Sequence, residues 1–194
     1  MLTKLKQRVQ TWLTSTAMLF HNLGLTPNHV SILGIIFAAL AAVAYSQWHF
    51  NPLLLMLAPV LLLISGLFDA LDGVIARIYG EATKFGGFFD SLLDRYADAI
   101  VLCGIILGGL TNLTWGLAAL MGSLLVSYAR ARAEAAGVKM ESVGIAERAE
   151  RIVLVVFASF LSYFWIDSLN WSILFLAILT NLTVVQRAIY FHKA

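Results

Sequence analysis

Residues 69–94 read Asp69-Ala-Leu-Asp72-Gly73-Val-Ile-Ala76-Arg77, then eight residues, then Gly86-Gly-Phe-Phe-Asp90-Ser-Leu-Leu-Asp94. Long apolar runs on both sides place this stretch at membrane depth, where an ionisable side chain costs about 3 kcal/mol or more unless it faces a cavity, a partner or a metal ion. Four aspartates this close together also repel one another unless cations share them. The stretch therefore predicts a polar, metal-binding site inside a membrane protein.

The composition of the whole chain agrees with a membrane location. Of its 194 residues, 60% are hydrophobic and only 12% are charged, and the mean hydropathy is +0.85. A water-soluble protein of this length needs far more polar surface, so an integral membrane protein surrounded by lipid is indicated, with no nucleic-acid partner. The apolar runs are unbroken and lack the alternation of strands, which predicts an all-α protein rather than a barrel.

The charge pattern predicts how the chain is threaded. Six apolar runs predict six transmembrane helices, so both termini lie on the same side of the membrane. All 13 Lys and Arg residues fall on that side or at the helix ends next to it, which makes it cytoplasmic by the positive-inside rule and places the acidic stretch there. We expect a multi-pass protein of the plasma membrane. The predicted spans are 30–45, 53–78, 86–109, 115–127, 152–166 and 171–185.

The first 25 residues differ from the rest. Their apolar residues fall on one helical stripe and most of their charges lie off it, which is typical of an amphipathic helix lying in the membrane interface. The alternative is a secretory signal, but its apolar stretch is broken and a small-residue cleavage pattern is missing. We predict an interfacial helix over 1–25 and a six-helix domain over 26–194, with a helix start at Thr26-Pro27.

Helical spacing places the four aspartates in two pairs. Asp69 and Asp72 are three residues apart and Asp90 and Asp94 are four apart, so each pair shares one helix face. The pairs lie at the cytoplasmic ends of consecutive antiparallel helices and can face each other. A ligand set made only of carboxylates suits Mg²⁺, Mn²⁺ or Ca²⁺ rather than zinc or copper. On residue types alone, a buried salt-bridge network in a cation-coupled transporter or channel stays open.

The spacing carries a family resemblance. The pattern D-x2-D-G-x2-A-R-x8-G-x3-D-x3-D is matched at all eight fixed positions, and it resembles the signature of the CDP-alcohol phosphotransferases. The resemblance implies transfer of a phosphatidyl-type group from a CDP-linked donor to an alcohol, with release of CMP. It also implies a pair of divalent ions, Mg²⁺ or Mn²⁺, and a homodimer.

The resemblance also implies a role for each position of the motif. By position, Asp69, Asp72 and Asp90 hold the metal ions, and Asp94 is the general base, with a role mainly as a fourth metal ligand as the alternative. The CDP site is implied at Asp69, Asp72, Gly73, Ala76 and Arg77. Asp98 lies one turn beyond the motif, where we expect it to pair with an arginine.

The remaining polar residues on the cytoplasmic side bear on the acceptor. Ser127-Tyr-Ala-Arg130 and Glu147-Arg148-Ala-Glu150-Arg151 resemble phosphatidylinositol-phosphate synthases and archaetidylinositol-phosphate synthases. The resemblance implies inositol 1-phosphate as acceptor and CDP-diacylglycerol or CDP-archaeol as donor. The implied phosphate-binding residues are Ser127, Arg130, Arg151 and Arg187.

Two positions depart from that pattern. Arg130 stands where we expect lysine, and Ala149 stands where proline is common. Glycerol 3-phosphate as acceptor, or CDP-inositol as a soluble donor, therefore stay open as alternatives. Serine has no phosphate and fits a basic pocket less well.

Overall fold

The structure, a computed structural model, describes residues 13–140 and 143–194. The regular secondary structure in those two ranges is entirely helical, which confirms the predicted all-α class. Residues 1–12 of the predicted interfacial helix lie outside the described part of the chain. The helices are α1 (residues 13–22), α2 (Pro27–Ser46), α3 (Leu54–Tyr79), α4 (Lys84–Leu107), α5 (Leu113–Ala135), α6 (Arg148–Ser162) and α7 (Asp167–Lys193), and Trp48–Phe50 form a short 3-10 turn.

Local signals explain where the helices that carry the motif begin and end. The side chain of Thr26 caps α2 by accepting a hydrogen bond from the backbone N–H of His29, and Pro27 fits the first turn because it lacks a donor there. α3 ends at Gly80, whose φ of 67° favours glycine. Thr83 then caps α4 by accepting from the N–H of Gly86 at 2.9 Å. The chain therefore reverses between the two acidic pairs in a few residues.

The six long helices α2 to α7 alternate in direction. At one end, Trp48 donates to the carbonyl of Gly108 at 2.7 Å and the rings of Trp115 and Trp171 lie 5.8 Å apart. The motif aspartates, together with the arginines of α5, α6 and α7, lie at the other end. α2 packs against both α3 and α4, α6 packs against α3 and α7, and α5 packs against α4 and α7. The motif carboxylates and these arginine side chains thus lie together at one end of the bundle.

The core is built for close helix contact. A Cβ atom added at Gly104 would lie 2.5 Å from the backbone oxygen of Ala42, so α2 and α4 approach each other backbone to backbone. Small residues at such crossings are typical of helix pairs in membranes. Large apolar side chains instead point outward, among them Phe157 with 64% of its surface exposed. An apolar exterior of this kind is what lipid contact requires.

Within residues 13–140 and 143–194, three helical segments are long and apolar enough to cross a membrane: Pro27–Ser46, Leu54–Ile78 and Asp167–Lys193. α5 runs past the predicted end of its apolar run to Ala135, because Ala, Arg and Glu continue the helix after the apolar residues stop. α6 is the shortest of the six, with 15 residues. The apolar runs therefore predicted the position of each helix better than its full length.

Candidate active site

Three of the four motif aspartates form one cluster. Asp69 and Asp72 near the end of α3 and Asp90 near the start of α4 each offer a carboxylate oxygen, and these oxygens lie within 4.8 Å of one another. Asp72 is buried, and the other two are half-buried. The cluster supplies only hard oxygen ligands at a separation that one cation can bridge. This ligand set fits Mg²⁺ or Mn²⁺ rather than a metal that prefers thiolate or imidazole ligands.

Asp72 has a partner that sequence reasoning missed. The hydroxyl of Ser31 on α2 donates a hydrogen bond to Oδ2 of Asp72 at 2.5 Å, and the same hydroxyl lies 3.1 Å from the carbonyl oxygen of Pro27. This contact fixes one oxygen of the buried carboxylate. The available signal was weak: Ser31 is a lone hydroxyl near the cytoplasmic end of an apolar run, at the depth of the aspartates.

Asp94 stands beside the cluster. It does not belong to the group of three found among the described residues, although the sequence predicted it as a fourth ligand as well as the base. Its two oxygens are paired with arginines instead: Oδ1 with Arg148 Nη1 at 2.8 Å and Oδ2 with Arg95 Nη2 at 3.1 Å. This placement leaves the carboxylate beside the cluster, and its role as general base or as metal ligand stays a prediction.

Arg148, the first residue of α6, joins the acidic groups. Its Nη1 lies 2.6 Å from Oδ2 of Asp69 and 2.8 Å from Oδ1 of Asp94, and its Nε lies 3.3 Å from Oδ1 of Asp98. The sequence placed Arg148 in a basic segment but assigned it no role. One guanidinium therefore bridges three carboxylates from α3 and α4.

Asp98 has the arginine partners expected of it. Besides Arg148, it accepts a hydrogen bond from Nη2 of Arg151 at 2.9 Å. Arg151 is 5% exposed, and its Nη1 is buried without a hydrogen-bond partner among the described residues. The Asp98 carboxylate thus orients two arginines of α6 whose guanidinium groups would otherwise be costly to bury.

A cavity of about 480 Å³ opens next to Asp94. Ser127, Arg130, Arg151 and Arg187, the four predicted acceptor-phosphate residues, all line it, although they come from α5, α6 and α7. Arg95 and Arg148, which the sequence did not assign to this pocket, line it too. The structure therefore brings the four predicted residues together and adds two further cations; their roles stay predictions.

Two arginines of this basic cavity differ in how they are held. Arg187 is 3% exposed, and it donates from Nε to the carbonyl of Val143 at 2.9 Å and from Nη1 to the carbonyl of Val126 at 2.5 Å. It therefore ties the segment before α6 to α5 while its remaining donors are available to a ligand. Arg130 is exposed, and its one ion pair with a described residue is with Glu134, at 2.8 Å.

The residues predicted to bind CDP lie along α3. A Cβ atom added at Gly73 would meet only the tip of Arg77, at 4.0 Å, so the backbone is open to a ligand there. Arg77 is exposed and makes no ion pair with any described residue. Ala76, the other small residue of the set, is half-buried. Open backbone and a free guanidinium on one side of the acidic cluster suit a phosphate-bearing ligand.

Comparison with known proteins agrees with this geometry. The family model of CDP-alcohol phosphatidyltransferase matches residues 24–185. The chain is 39% identical over 187 residues to the archaetidylinositol phosphate synthase of Pyrococcus horikoshii, which covers 96% of this chain and 94% of the relative.

Solved structures resemble the fold as well. The phosphatidylinositol phosphate synthase of Mycobacterium tuberculosis in complex with manganese and citrate superposes with a TM-score of 0.82 at 30% identity, covering 93% of this chain and 89% of that one. The same enzyme with CDP-DAG bound gives a TM-score of 0.81 at 31% identity, covering 92% of each chain. A family model spanning most of the sequence, together with a relative similar over nearly all of it, makes this chain a member of the CDP-alcohol phosphatidyltransferase family, as the spacing of its motif predicts.

Proposed function

We propose that this membrane enzyme transfers a phosphatidyl or archaetidyl group from a CDP-linked lipid to a hydroxyl of inositol 1-phosphate and releases CMP. The donor is CDP-diacylglycerol or CDP-archaeol. The observation that carries the proposal is the basic cavity, because Asp94 forms part of its wall and lies beside the acidic cluster. The family match favours this enzyme over the cation-coupled transporter that residue types alone left open.

The charges of the cavity fit a phosphorylated acceptor. Five arginines and three carboxylates line it, so its wall carries more positive than negative groups. Arg187 makes no ion pair with a described residue, whereas the other four arginines pair with carboxylates, two of them with Asp69 or Asp98 outside the wall. A phosphate monoester carries about −1.5 to −2 at neutral pH and gives arginines a partner for directed paired hydrogen bonds, which free inositol lacks. The lining residues are Ser91, Asp94, Arg95, Val126, Ser127, Arg130, Ala131, Glu134, Glu147, Arg148, Ala149, Arg151 and Arg187.

The start of α6 adds to the same preference. Glu147, Arg148 and Ala149 line the cavity, and the helix that begins there has no side-chain cap. The free backbone N–H groups of a first helical turn carry a partial positive charge and favour anions. With Arg130, Arg151 and Arg187, they support binding of the acceptor phosphate.

The reaction then follows from the positions of the residues. Arg130, Arg151, Arg187 and Ser127 hold the acceptor by its phosphate, so that a ring hydroxyl is presented to Asp94. Asp94 takes the hydroxyl proton as the oxygen attacks the lipid-bearing phosphorus, the bond from that phosphorus to the CMP oxygen breaks, and CMP leaves.

The donor side is held by the other motif residues. Asp69, Asp72 and Asp90 are the ligands for Mg²⁺ or Mn²⁺, which we expect as a pair of ions. When bound, the ions would neutralise the pyrophosphate charge and stabilise CMP as the leaving group. Gly73, Ala76 and Arg77 support the CDP moiety along α3, where Gly73 leaves the backbone open.

We also propose how the chain is arranged in the membrane. All six helices α2 to α7 span the plasma membrane, residues 1–25 lie in the interface, and residues 26–194 form the catalytic domain. Both termini and the active site face the cytoplasm. Support comes from the charges gathered at one end of the bundle and from the lysines and arginines confined to that side. A homodimer is proposed on the family resemblance alone.

The test is CMP release by the purified protein with each donor lipid and Mg²⁺ or Mn²⁺. Inositol 1-phosphate, free inositol, glycerol 3-phosphate and serine are offered in turn. Release with inositol 1-phosphate alone is expected. Release with glycerol 3-phosphate alone would keep the catalytic groups and overturn the acceptor. No release with either lipid donor would point to CDP-inositol, which is then tested as donor.

A further inference from the structure

Arg148 belongs to two sites at once. Its Nη1 contacts Asp69, a member of the acidic cluster, and Asp94, the proposed base. The same side chain lines the basic cavity in which we place the acceptor phosphate. No other arginine of the described residues pairs with a member of the three-aspartate cluster, so Arg148 alone connects the two.

We propose that Arg148 is a positioning residue that couples the donor and acceptor sites. It holds Asp69 and Asp94 while Asp69 is free of metal, and it turns toward the acceptor phosphate once Asp69 ligates a divalent cation. This inference rests on the proposed function, because it takes the basic cavity to be the acceptor site.

The contacts explain why Arg148 has to move. Nη1 lies 2.6 Å from Oδ2 of Asp69, which is as close as a charge-assisted hydrogen bond allows. A divalent cation ligated by that carboxylate would repel a guanidinium at this distance. Oδ2 of Asp69 therefore favours either the Arg148 guanidinium or a divalent cation, but not both together.

The structure also gives Arg148 somewhere to go. Its Nε is held by Asp98 at 3.3 Å, so the end of the side chain can turn while Asp98 keeps its anchor. The basic cavity of about 480 Å³ lies on its other side. An Arg148 released from Asp69 brings directed donors to a phosphate there, and it uncovers Oδ1 of Asp94 for the acceptor hydroxyl.

The consequence is a thermodynamic linkage between metal and acceptor. Each ligand favours the conformation that the other requires, so each tightens the other by the same factor. Couplings of this kind are typically about 5- to 150-fold. We expect inositol 1-phosphate to bind at least about five-fold more tightly with Mn²⁺ than without it.

The experiment measures binding to the full-length protein in nanodiscs, with the lipid donor left out so that no turnover occurs. Calorimetry gives the affinity for inositol 1-phosphate, and in parallel for glycerol 3-phosphate, in EDTA and in saturating Mn²⁺. Electron paramagnetic resonance gives the affinity for Mn²⁺ with and without the acceptor. In Arg148→Gln the coupling is expected to fall to about one, and Mn²⁺ alone is expected to bind more tightly than in the parent protein.

Two matched variants separate this coupling from simpler effects. Arg95→Gln also removes a positive charge beside Asp94 but leaves Asp69 untouched, so it should keep the coupling. Arg130→Gln should weaken acceptor binding equally in EDTA and Mn²⁺, and should also keep the coupling. Arg148→Lys, which retains charge but not the guanidinium fork, serves where Arg148→Gln is unstable, and it should lower the coupling below that of Arg95→Gln.

The experiment distinguishes failure of the coupling from failure of the proposed acceptor. A parent protein that binds inositol 1-phosphate without any dependence on Mn²⁺ overturns the coupling and leaves the proposed acceptor standing. Equal coupling in the parent and in both Arg148 variants does the same. Binding of glycerol 3-phosphate in place of inositol 1-phosphate overturns the acceptor, and the coupling is then decided with that ligand. Binding of neither overturns both.

Discussion

The hydroxyl of Ser31 on α2 and Oδ2 of Asp72 on α3 are 2.5 Å apart, with the serine as donor. This hydrogen bond crosses between two helices and is buried, so it orients the most enclosed carboxylate of the acidic cluster. α2 therefore contributes to the site although it carries no residue of the signature motif.

Ser31→Ala should weaken metal binding. Loss of a hydrogen bond that orients a metal ligand typically costs about 10- to 100-fold in metal affinity or activity. The check is the Mn²⁺ dependence of CMP release, together with direct Mn²⁺ titration by electron paramagnetic resonance. Ser46→Ala, at the other end of α2, removes a bond only to the carbonyl of Val43 and is the control. Equal Mn²⁺ affinity in the two variants would mean that the Ser31 contact has no such role.

Asp94→Asn separates the two roles open to Asp94. If this residue is the base, its loss should lower the rate of CMP release by about 100- to 10,000-fold while Mn²⁺ affinity stays near that of the parent. The reason is that Asp94 lies outside the three-aspartate group and is paired with Arg95 and Arg148. Asp90→Asn is the comparison and should lose Mn²⁺ binding. A matching loss of Mn²⁺ affinity in both variants would make Asp94 a metal ligand.

Arg187→Gln and Arg130→Gln should differ in stability while both weaken acceptor binding. Arg187 is buried and donates to two backbone carbonyls, so its replacement should lower Tm by several degrees. Arg130 is exposed and pairs with Glu134 on the same helix, an interaction worth about 0.5 kcal/mol or less, so Tm should hardly change. Thermal unfolding and KM for inositol 1-phosphate are measured on both. An unchanged KM in both would remove these arginines from the acceptor site.

Gly104→Ala should destabilise the helix bundle. The added Cβ would lie 2.5 Å from the backbone oxygen of Ala42, so α2 and α4 would have to separate, at a cost of about 1–3 kcal/mol. Gly66→Ala on α3 meets nothing within 4 Å and should be neutral or stabilising, since alanine is the better helix former. Denaturation in detergent compares the two. A Gly104 variant as stable as the Gly66 variant would show that this crossing tolerates a methyl group.

The spacing of the motif predicted much of the site because helix geometry alone decides which residues three or four positions apart share a face. Three- and four-residue intervals place Asp69 with Asp72 and Asp90 with Asp94 on any α-helix, and a short turn then brings the pairs together. Caps such as Thr26 and Thr83 likewise act within one turn. Aspartates are rare within apolar runs, so their presence there indicated a functional site. Their spacing then matched the motif of the family.

Contacts between distant helices were harder to predict. Ser31 meets Asp72 across 41 residues of sequence, and Arg148 meets Asp98 across 50. No period in the sequence encodes such pairs, since they depend on how α2 and α6 pack against α3 and α4. The backbone bonds of Arg187 are equally nonlocal, because they reach Val126 and Val143 on different segments. The family resemblance therefore implied a basic pocket but not which of its arginines also hold the fold.

The shortness of α6 bears on how a lipid reaches the site. Its 15 residues make a rod of about 22 Å, whereas the hydrocarbon core of a bilayer is about 30 Å thick. Val153 and Phe157 point outward from it, so in the proposed membrane arrangement this side would face lipid. Mismatch of this kind is relieved when the bilayer thins locally. The headgroups beside α6 would then sink toward the level of Asp94, so that a donor lipid presents its pyrophosphate there without leaving its leaflet.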